Sequence, residues 1–470
     1  MINSDFTVMP GSVKSIESFF SPKSVAVIGA SNSRGTVGYT IFENMKKARV
    51  KKLFPVNPNH SRIQGVKAFA SVKEVNQKIE LAIIAVKAAF VPEVLRECME
   101  RGVKAVIIVS AGFSETGEKK LTAQIKKLIE KHPRTRVMGP NCVGVVNSFT
   151  GIDTTFFERN RMKMPGKGSL SFISQSGALG SMILDWVGKQ QQFGINKFAS
   201  YGNAMDVDEA DLLEYFGADR KTKVITVYLE GARDGRKFYE VAKKVSRKKP
   251  IIVLKGGKSE ETSKAASSHT GSLAGSSKVY DAVFKQSGII QADDLLDLFN
   301  IAKLLEKEPL PKGNRVQIIT NGGGFGIVSA DQIIAHGLRL AKLSGKTVKR
   351  LEKGMPGIEI SNPLDILGDA DASRYRKAIT AAVADKNADI IMVLALFNLP
   401  TLKEKNLGVL REARGKASKP VIVCSIGSDY TERYLEKIER AGFTTFEYPS
   451  VAAKALKEMV LYAEFLKKAR

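Results

Sequence analysis

Three stretches decide the fold: Val25-Ala26-Val27-Ile28-Gly29-Ala30-Ser31, Leu170-Ser171-Phe172-Ile173-Ser174-Gln175-Ser176-Gly177 and Val316-Gln317-Ile318-Ile319-Thr320-Asn321-Gly322-Gly323-Gly324. Each is a β-rich apolar run that ends in a glycine turn and leads into a helical pattern. They begin about 145 residues apart, a weak internal repeat. Further apolar runs lie between them, at Leu81–Val86, Ala105–Val109, Val224–Leu229, Ile251–Leu254, Ile390–Leu396 and Val421–Cys424. Unbroken runs of this kind suit parallel strands buried on both faces. Their alternation with helical patterns predicts doubly wound α/β sheets, whose ligands sit at the carboxyl ends of the strands, where the glycine turns lie. The chain has 470 residues, enough for about three domains. Basic segments with Pro and Gly, Arg161–Gly168 and Lys307–Gly313, place boundaries near 160 and 311, giving domains 1–160, 161–310 and 311–470.

The composition narrows the function classes. Hydrophobic residues make up 43% and charged residues 26%, which excludes general disorder. The three cysteines, Cys98, Cys142 and Cys424, are far apart, suit a reducing compartment and match no zinc spacing, so no metal site is expected on this chain. The longest apolar stretch, Ile390–Phe397, is far short of the ~20 residues that cross a bilayer. The start has no basic segment followed by an apolar one, so a cytoplasmic location is expected. The formal net charge is +25. Nucleic-acid binding is one reading of that charge, but the lysines are spread along the chain with no basic–aromatic block and no finger. A solvated basic surface facing an acidic partner or a polyanionic small molecule is preferred.

Gly29, Gly35 and Gly38 follow one predicted strand and open a helix, so backbone N–H groups can approach a pyrophosphate at the helix start. Ser31 stands where G-x-G-x-x-G has its second glycine. A nicotinamide site wants an acid about 20 residues on, yet the second strand reads Leu53-Phe54-Pro55-Val56-Asn57-Pro58, flanked by Lys51, Lys52, Arg62 and Lys67. A nucleotide with an extra ribose phosphate fits better, and coenzyme A is one. A turn used only for packing is the alternative. The same rim carries Ser110-Ala111-Gly112-Phe113 and Gly139-Pro140-Asn141-Cys142. The candidate CoA contacts are Gly29, Ser31, Asn32, Gly35, Gly38, Asn57, Arg62, Lys87, Ser110, Gly112 and Asn141. Cys142 is either close to a thioester or a small buried residue.

The most unusual segment runs from Lys264 to Ser276, Lys-Ala-Ala-Ser-Ser-His-Thr-Gly-Ser-Leu-Ala-Gly-Ser, with His269 in its middle. A loop histidine is commonly just solvated. Here, however, the loop follows the strand Ile251–Leu254, another strand ends in Tyr228-Leu229-Glu230-Gly231, and Ser174, Ser176 and Gly177 form an anion site at a helix start. A histidine, a carboxylate and a phosphate cradle on one rim suggest a phosphohistidine. Imidazole is mostly neutral and nucleophilic at pH 7 and attacks an acyl phosphate or a nucleotide γ-phosphoryl group. Glu230 would fix its tautomer. Gly256 to Gly275 has a contour on the order of 60 Å, long enough to carry His269 between two sites.

These residues resemble the α subunit of ADP-forming acyl-CoA synthetases (NDP-forming acetate–CoA ligases), in the superfamily of succinyl-CoA synthetase. Ala266-Ser267-Ser268-His269-Thr270-Gly271-Ser272-Leu273-Ala274-Gly275 is close to that family's phosphohistidine signature. Ser174–Gly177, Tyr228–Gly231, Gly139–Cys142 and Ser361-Asn362-Pro363-Leu364-Asp365 are similar to its other motifs, in its order. The resemblance implies a CoA-binding Rossmann domain followed by two flavodoxin-like ligase domains. It implies the reversible reaction acyl-CoA + ADP + phosphate = carboxylate + CoA + ATP, with His269 phosphorylated and Glu230 its partner. The nucleotide and Mg²⁺ would sit on a separate β subunit with an ATP-grasp domain, in an α2β2 assembly. The family's lysine after Asn-Pro is replaced here by Asn59-His60, and Arg62 is the expected cation for the CoA 3′-phosphate. The Gly322–Gly324 turn is either a second phosphate site, a packing turn or a partner contact. A non-catalytic CoA-binding regulatory protein and a nicotinamide-dependent oxidoreductase are the competing readings.

Overall fold

A computed structural model describes residues 13–190, 193–259, 261–262, 277–399, 401, 407–415 and 417–469. His269 and the segment 263–276 lie outside the described residues. The chain forms two compact units, 1–291 and 292–470.

The first unit contains two sheets. Five parallel strands, β1 (Ser24–Ile28), β2 (Lys52–Val56), β5 (Leu81–Ile84), β6 (Ala105–Ile108) and β7 (Arg136–Met138), lie in the order β2-β1-β5-β6-β7; a short hairpin, β3 (Arg62–Ile63) and β4 (Val66–Lys67), stands beside them. The order reverses between β1 and β5, and the first glycine turn follows β1 at that reversal, where doubly wound sheets bind ligands.

The second sheet has seven strands: β8 (Gly144–Asn147), β9 (Ile152–Asp153), β10 (Lys167–Ser174), β11 (Ile195–Ser200), β12 (Val224–Leu229), β13 (Ile251–Lys255) and β14 (Ile290–Ala292), in the order β14-β13-β12-β10-β11-β8-β9. Its reversal lies between β10 and β12, which pair in parallel from Leu170↔Val224 to Ser174↔Tyr228. The second glycine turn and Glu230 therefore emerge side by side.

The expected boundary at 160 does not separate these sheets. β8 pairs antiparallel with β11, Ser200 opposite Gly144, so residues 144–153 belong to the second sheet. One hydrophobic cluster also runs through both layers, from Phe19 and Phe20 through Val145 to Leu212 and Phe216. Phe20 stacks on Tyr215 at 5.1 Å. At the start of β7, buried Arg136 is paired with Asp206 (2.9 Å) and Asp211 (2.6 Å). The linker reading followed the Pro and Gly residues, whereas the antiparallel pairing of β8 leaves no such mark in the sequence.

The second unit holds a six-stranded sheet. Its strands β15 (Arg315–Thr320), β16 (Arg339–Leu340), β18 (Ile390–Leu394), β19 (Val421–Cys424) and β20 (Thr444–Phe446) run in the order β16-β15-β18-β19-β20, and β17 (Leu364–Asp365) pairs with β15. The helix Leu295–Lys307 packs on the helix Pro449–Lys468 within this unit. Lys303 Nζ donates to the Thr445 carbonyl at 2.6 Å, and Lys454 pairs with Asp293 at 2.7 Å. The boundary expected near 311 therefore falls earlier, because an amphipathic helix before the linker closes the sheet after it.

Candidate active site

The first glycine turn is built by backbone crowding. Gly29 has φ +88° and Gly35 φ +81°, a region that costs other residues strain. A Cβ on Gly29 would run into the Ala85 carbonyl, and one on Gly38 into the Gly29 carbonyl, so strand, turn and helix approach as only glycine permits. The helix Val37–Lys46 starts there, with Thr36 accepting from the Tyr39 N–H. The neighbouring polar side chains brace the turn. Ser31 Oγ accepts from the Ser33 N–H at 2.9 Å, and Asn57 Nδ2 donates to the Ala30 carbonyl at 2.8 Å. Asn32 clasps the β3–β4 hairpin, donating to the Arg62 carbonyl at 3.0 Å and accepting from the Gln64 N–H at 2.8 Å. Arg62, exposed on that hairpin, donates to the Gly65 carbonyl at 2.7 Å, and Lys87 is exposed after β5.

A cavity of about 490 Å³ within the first unit joins this rim to the second turn. Of the residues expected from sequence, Ser110, Asn141, Ser176 and Gly177 line it together, as do Val37, Val86 and Phe156. The remaining CoA candidates do not line the cavity. Asn141, at φ +56°, takes its N–H to the Ser110 carbonyl at 2.9 Å. Gly112, at φ +104°, donates its N–H to Glu115 Oε1 at 2.6 Å. Burial acts to raise the Glu115 carboxyl, but hydrogen bonds from Asn203, Gly112 and Phe113 outweigh it and hold the group below its ordinary range. Cys142 also lines the cavity, yet burial pushes its thiol up to about 12, so at neutral pH it is a neutral wall residue rather than a nucleophile.

The phosphate cradle expected from the sequence is divided between its members. Ser174 is fully buried and its Oγ donates to the Ser176 carbonyl at 2.6 Å, which shapes the turn rather than facing the cavity. Ser176 Oγ accepts from the Leu179 N–H at 3.3 Å, and Gly177 opens the helix Gly177–Gln190. Gly177 is tightly seated: a Cβ there would lie 2.5 Å from Val143 Cγ2.

Glu230 follows β12 and is half-buried, with Tyr228 donating its hydroxyl to Oε1 at 3.2 Å. The segment after β12 is held by four consecutive backbone donors. The Glu230 and Gly231 N–H groups donate to Gln175 Oε1 at 2.8 and 3.1 Å, the Ala232 N–H to the Tyr280 hydroxyl at 2.8 Å, and the Arg233 N–H to Glu209 Oε1 at 2.9 Å. Both described flanks of the histidine segment are fastened to this same stretch. On one side Lys255, at the end of β13, donates from Nζ to the Glu230 carbonyl at 2.7 Å and to Gly256. On the other, Tyr280 lies in the helix Ser277–Ser287. Burial lowers the Lys255 ammonium, partly opposed by the Glu230 charge.

Sequence reading missed Gln175, Glu209 and Tyr280. Gln175 sits inside the quoted Ser-Gln-Ser-Gly, but its partners are 55 and 56 positions away and become neighbours only through the β10–β12 register. In the third glycine turn, a Cβ on Gly323 would lie 2.7 Å from Asp365 Oδ2, so the chain's own carboxylate stands at the start of the helix Gly323–Ala335. That arrangement favours the packing reading of the turn, since a second anion there would meet a like charge. Among the described residues, no cluster of three or more His, Cys, Asp or Glu side chains forms a metal-binding group, and no helix is long and apolar enough to cross a membrane.

Two family models match the chain: a CoA binding domain over residues 23–148 and a succinyl-CoA ligase like flavodoxin domain over residues 167–305. The chain is 41% identical over 456 residues to the acetate–CoA ligase [ADP-forming] II subunit alpha of Pyrococcus furiosus, covering 96% of this chain and 98% of that one. It is 37% identical over 458 residues to the acetate–CoA ligase [ADP-forming] I of Archaeoglobus fulgidus, covering 97% of this chain but only 65% of that longer relative. Among solved structures, a dinucleotide forming acetyl-coenzyme A synthetase 1 from Ca. Korarchaeum cryptofilum, in complex with phosphate and ADP, superposes with a TM-score of 0.89 at 32% identity, covering 97% of this chain and 98% of that one.

Proposed function

The chain belongs to the family of ADP-forming acetate–CoA ligase α subunits, and from that premise we propose that it catalyses the acyl-phosphate and phosphohistidine half of acyl-CoA + ADP + phosphate = carboxylate + CoA + ATP. The observation that carries this is the single cavity shared by the Ser110–Asn141 rim and the Ser176–Gly177 turn. CoA is bound with its diphosphate toward the turn after β1, where close backbone contact and a helix start suit a phosphate. The thioester end enters the cavity between Val86, Asn141 and Phe156, whose mix of apolar walls and few polar groups suits a pantetheine chain. Arg62, exposed on the hairpin, meets the 3′-phosphate.

Phosphate is held at the start of the helix Gly177–Gln190. One of its oxygens attacks the thioester carbonyl carbon, the carbon–sulfur bond breaks, and the CoA thiolate leaves with an acyl phosphate formed. His269 then attacks phosphorus and the carboxylate departs. Glu230 accepts from the other ring N–H, fixes the tautomer and offsets the positive charge on the imidazole. Its position does not depend on a flexible loop, because the four donors of residues 230–233 are all engaged. The anchoring of both flanks of the histidine segment to this stretch supports delivery of His269 here.

The second half of the reaction takes place on a partner β subunit with an ATP-grasp domain that binds ADP with Mg²⁺, in an α2β2 assembly in the cytoplasm. The longer relative, of which this chain spans about two thirds, supports a remaining segment supplied separately. Co-expression with a candidate β subunit tests the reading: the pair forms ATP from acetyl-CoA, ADP, phosphate and Mg²⁺. Binding of CoA without any ATP formation by an intact pair would favour the regulatory reading instead.

A further inference from the structure

Gln175 lies at the strand-order reversal of the second sheet, with only 8% of its surface exposed. Its Oε1 accepts two backbone N–H groups, from Glu230 at 2.8 Å and Gly231 at 3.1 Å. Two such donors fix which end of the amide is oxygen, because a side-chain NH2 cannot accept them. Nε2 is thereby turned away from the strand end, and the side chain lines the cavity beside Ser176 and Gly177. Among the described residues, none accepts a hydrogen bond from Nε2. With no protein acceptor, Nε2 is available to donate to a molecule that occupies the cavity.

The surroundings select the class of that molecule. Gly177 begins a helix whose free N–H groups and dipole favour negative charge. The Ser176 hydroxyl oxygen is directed at the Leu179 N–H at 3.3 Å rather than at Gln175. An anion seated at that helix start would give Nε2 an acceptor oxygen. We propose that Gln175 is a phosphate-binding residue of the reaction, donating from Nε2 to a phosphoryl oxygen at the Ser176–Gly177 turn while Oε1 holds the Glu230 strand end. One side chain then ties the position of the phosphoryl group to that of the carboxylate that serves His269. This rests on the ligase reading above.

The test uses the full chain with acetyl-CoA and radiolabelled inorganic phosphate, and reads acid-labile label on protein as each substrate is varied. In Gln175→Glu the carboxylate still accepts both N–H groups but presents an anionic oxygen where a donor stood. Its phosphate half-saturation rises at least tenfold, its acetyl-CoA half-saturation stays within twofold, and its melting temperature stays close to wild type. Gln175→Met is uncharged and nearly isosteric, carries the same expectation for phosphate, and decides the matter should the first variant misfold. Phosphate half-saturation within twofold of wild type in a folded variant overturns the proposal. So does a rise confined to acetyl-CoA, which would place the donated bond on the thioester. If the wild-type chain itself takes up no label, the ligase reading fails; if it does and the variants match it, only the role of Gln175 fails.

Discussion

Gly177→Ala adds one methyl group at the point where the proposed phosphate cradle meets the helix Gly177–Gln190. The new Cβ would lie 2.5 Å from Val143 Cγ2, against an optimum of ~3.5–4.0 Å, so the two must separate by about 1 Å. Val143 cannot turn aside easily. It is buried, β-branched and tied by its N–H to Ser200 Oγ at 3.4 Å. The helix start is what moves. Two effects on stability oppose each other: overpacking costs ~1–3 kcal/mol, while replacing glycine by alanine in a helix gains up to ~1 kcal/mol. The net loss is therefore small, about 0–2 kcal/mol. Positioning is more sensitive, since a displacement of about 1 Å costs on the order of 100-fold in rate. The expected result is a modest fall in melting temperature with a loss on the order of 100-fold in labelling rate at limiting phosphate, and little change in half-saturation by acetyl-CoA. Gly235→Ala is the control. Gly235 also opens a helix, Gly235–Ser246, but a Cβ there meets nothing within 4 Å, so stability and activity should hold. Retention of wild-type phosphate dependence in Gly177→Ala would refute the reasoning that this helix start holds the phosphoryl group.

Two further outcomes test the scaffold. Arg136→Met leaves half-buried Asp206 and buried Asp211 without their shared guanidinium; Lys237 still pairs with Asp211 at 2.6 Å, so the loss in denaturant unfolding should fall at the low end for a broken buried pair, ~3 kcal/mol. Glu209 gives a pH signature. Burial, with the nearby Asp208 charge, raises its carboxyl from 4.5 to about 7. The unfolded chain releases this proton near pH 4.5 while the folded chain keeps it to about 7, so stability falls as pH rises through that window and levels off above it. At 1.36 kcal/mol per pH unit the full loss is ~3 kcal/mol. Glu209→Gln should melt higher than wild type at pH 8 and about equally at pH 4.5; parallel melting curves across that range would contradict the assignment.

The strands and their turns were legible in the sequence because buried parallel strands read as continuous apolar runs. Val224–Leu229 and Val421–Cys424 match to the residue, and all three glycine turns fall where strand order reverses. Glu230 was legible for the same reason, as the first polar residue past such a run. The domain limits were not, because β8 and β9 join the second sheet by antiparallel pairing and the helix Leu295–Lys307 packs forward onto a helix some 150 positions later. Gln175 and Tyr280 were hidden for a related reason: each acts on the backbone of residues 230–232, a partnership set by register and packing with no local sequence signal. Ser174 ends β10 and its hydroxyl donates to the Ser176 carbonyl, a use that only the conformation of the turn decides.

The whole scheme turns on phosphorus reaching one imidazole. Incubation of the chain with acetyl-CoA and radiolabelled phosphate, followed by quantification of acid-labile, base-stable label and mapping of the labelled peptide, reads this step without the partner subunit. Label at His269, lost in His269→Ala and strongly reduced in Glu230→Gln, is the outcome predicted here. Undiminished label in His269→Ala, or its recovery at another residue, would contradict it.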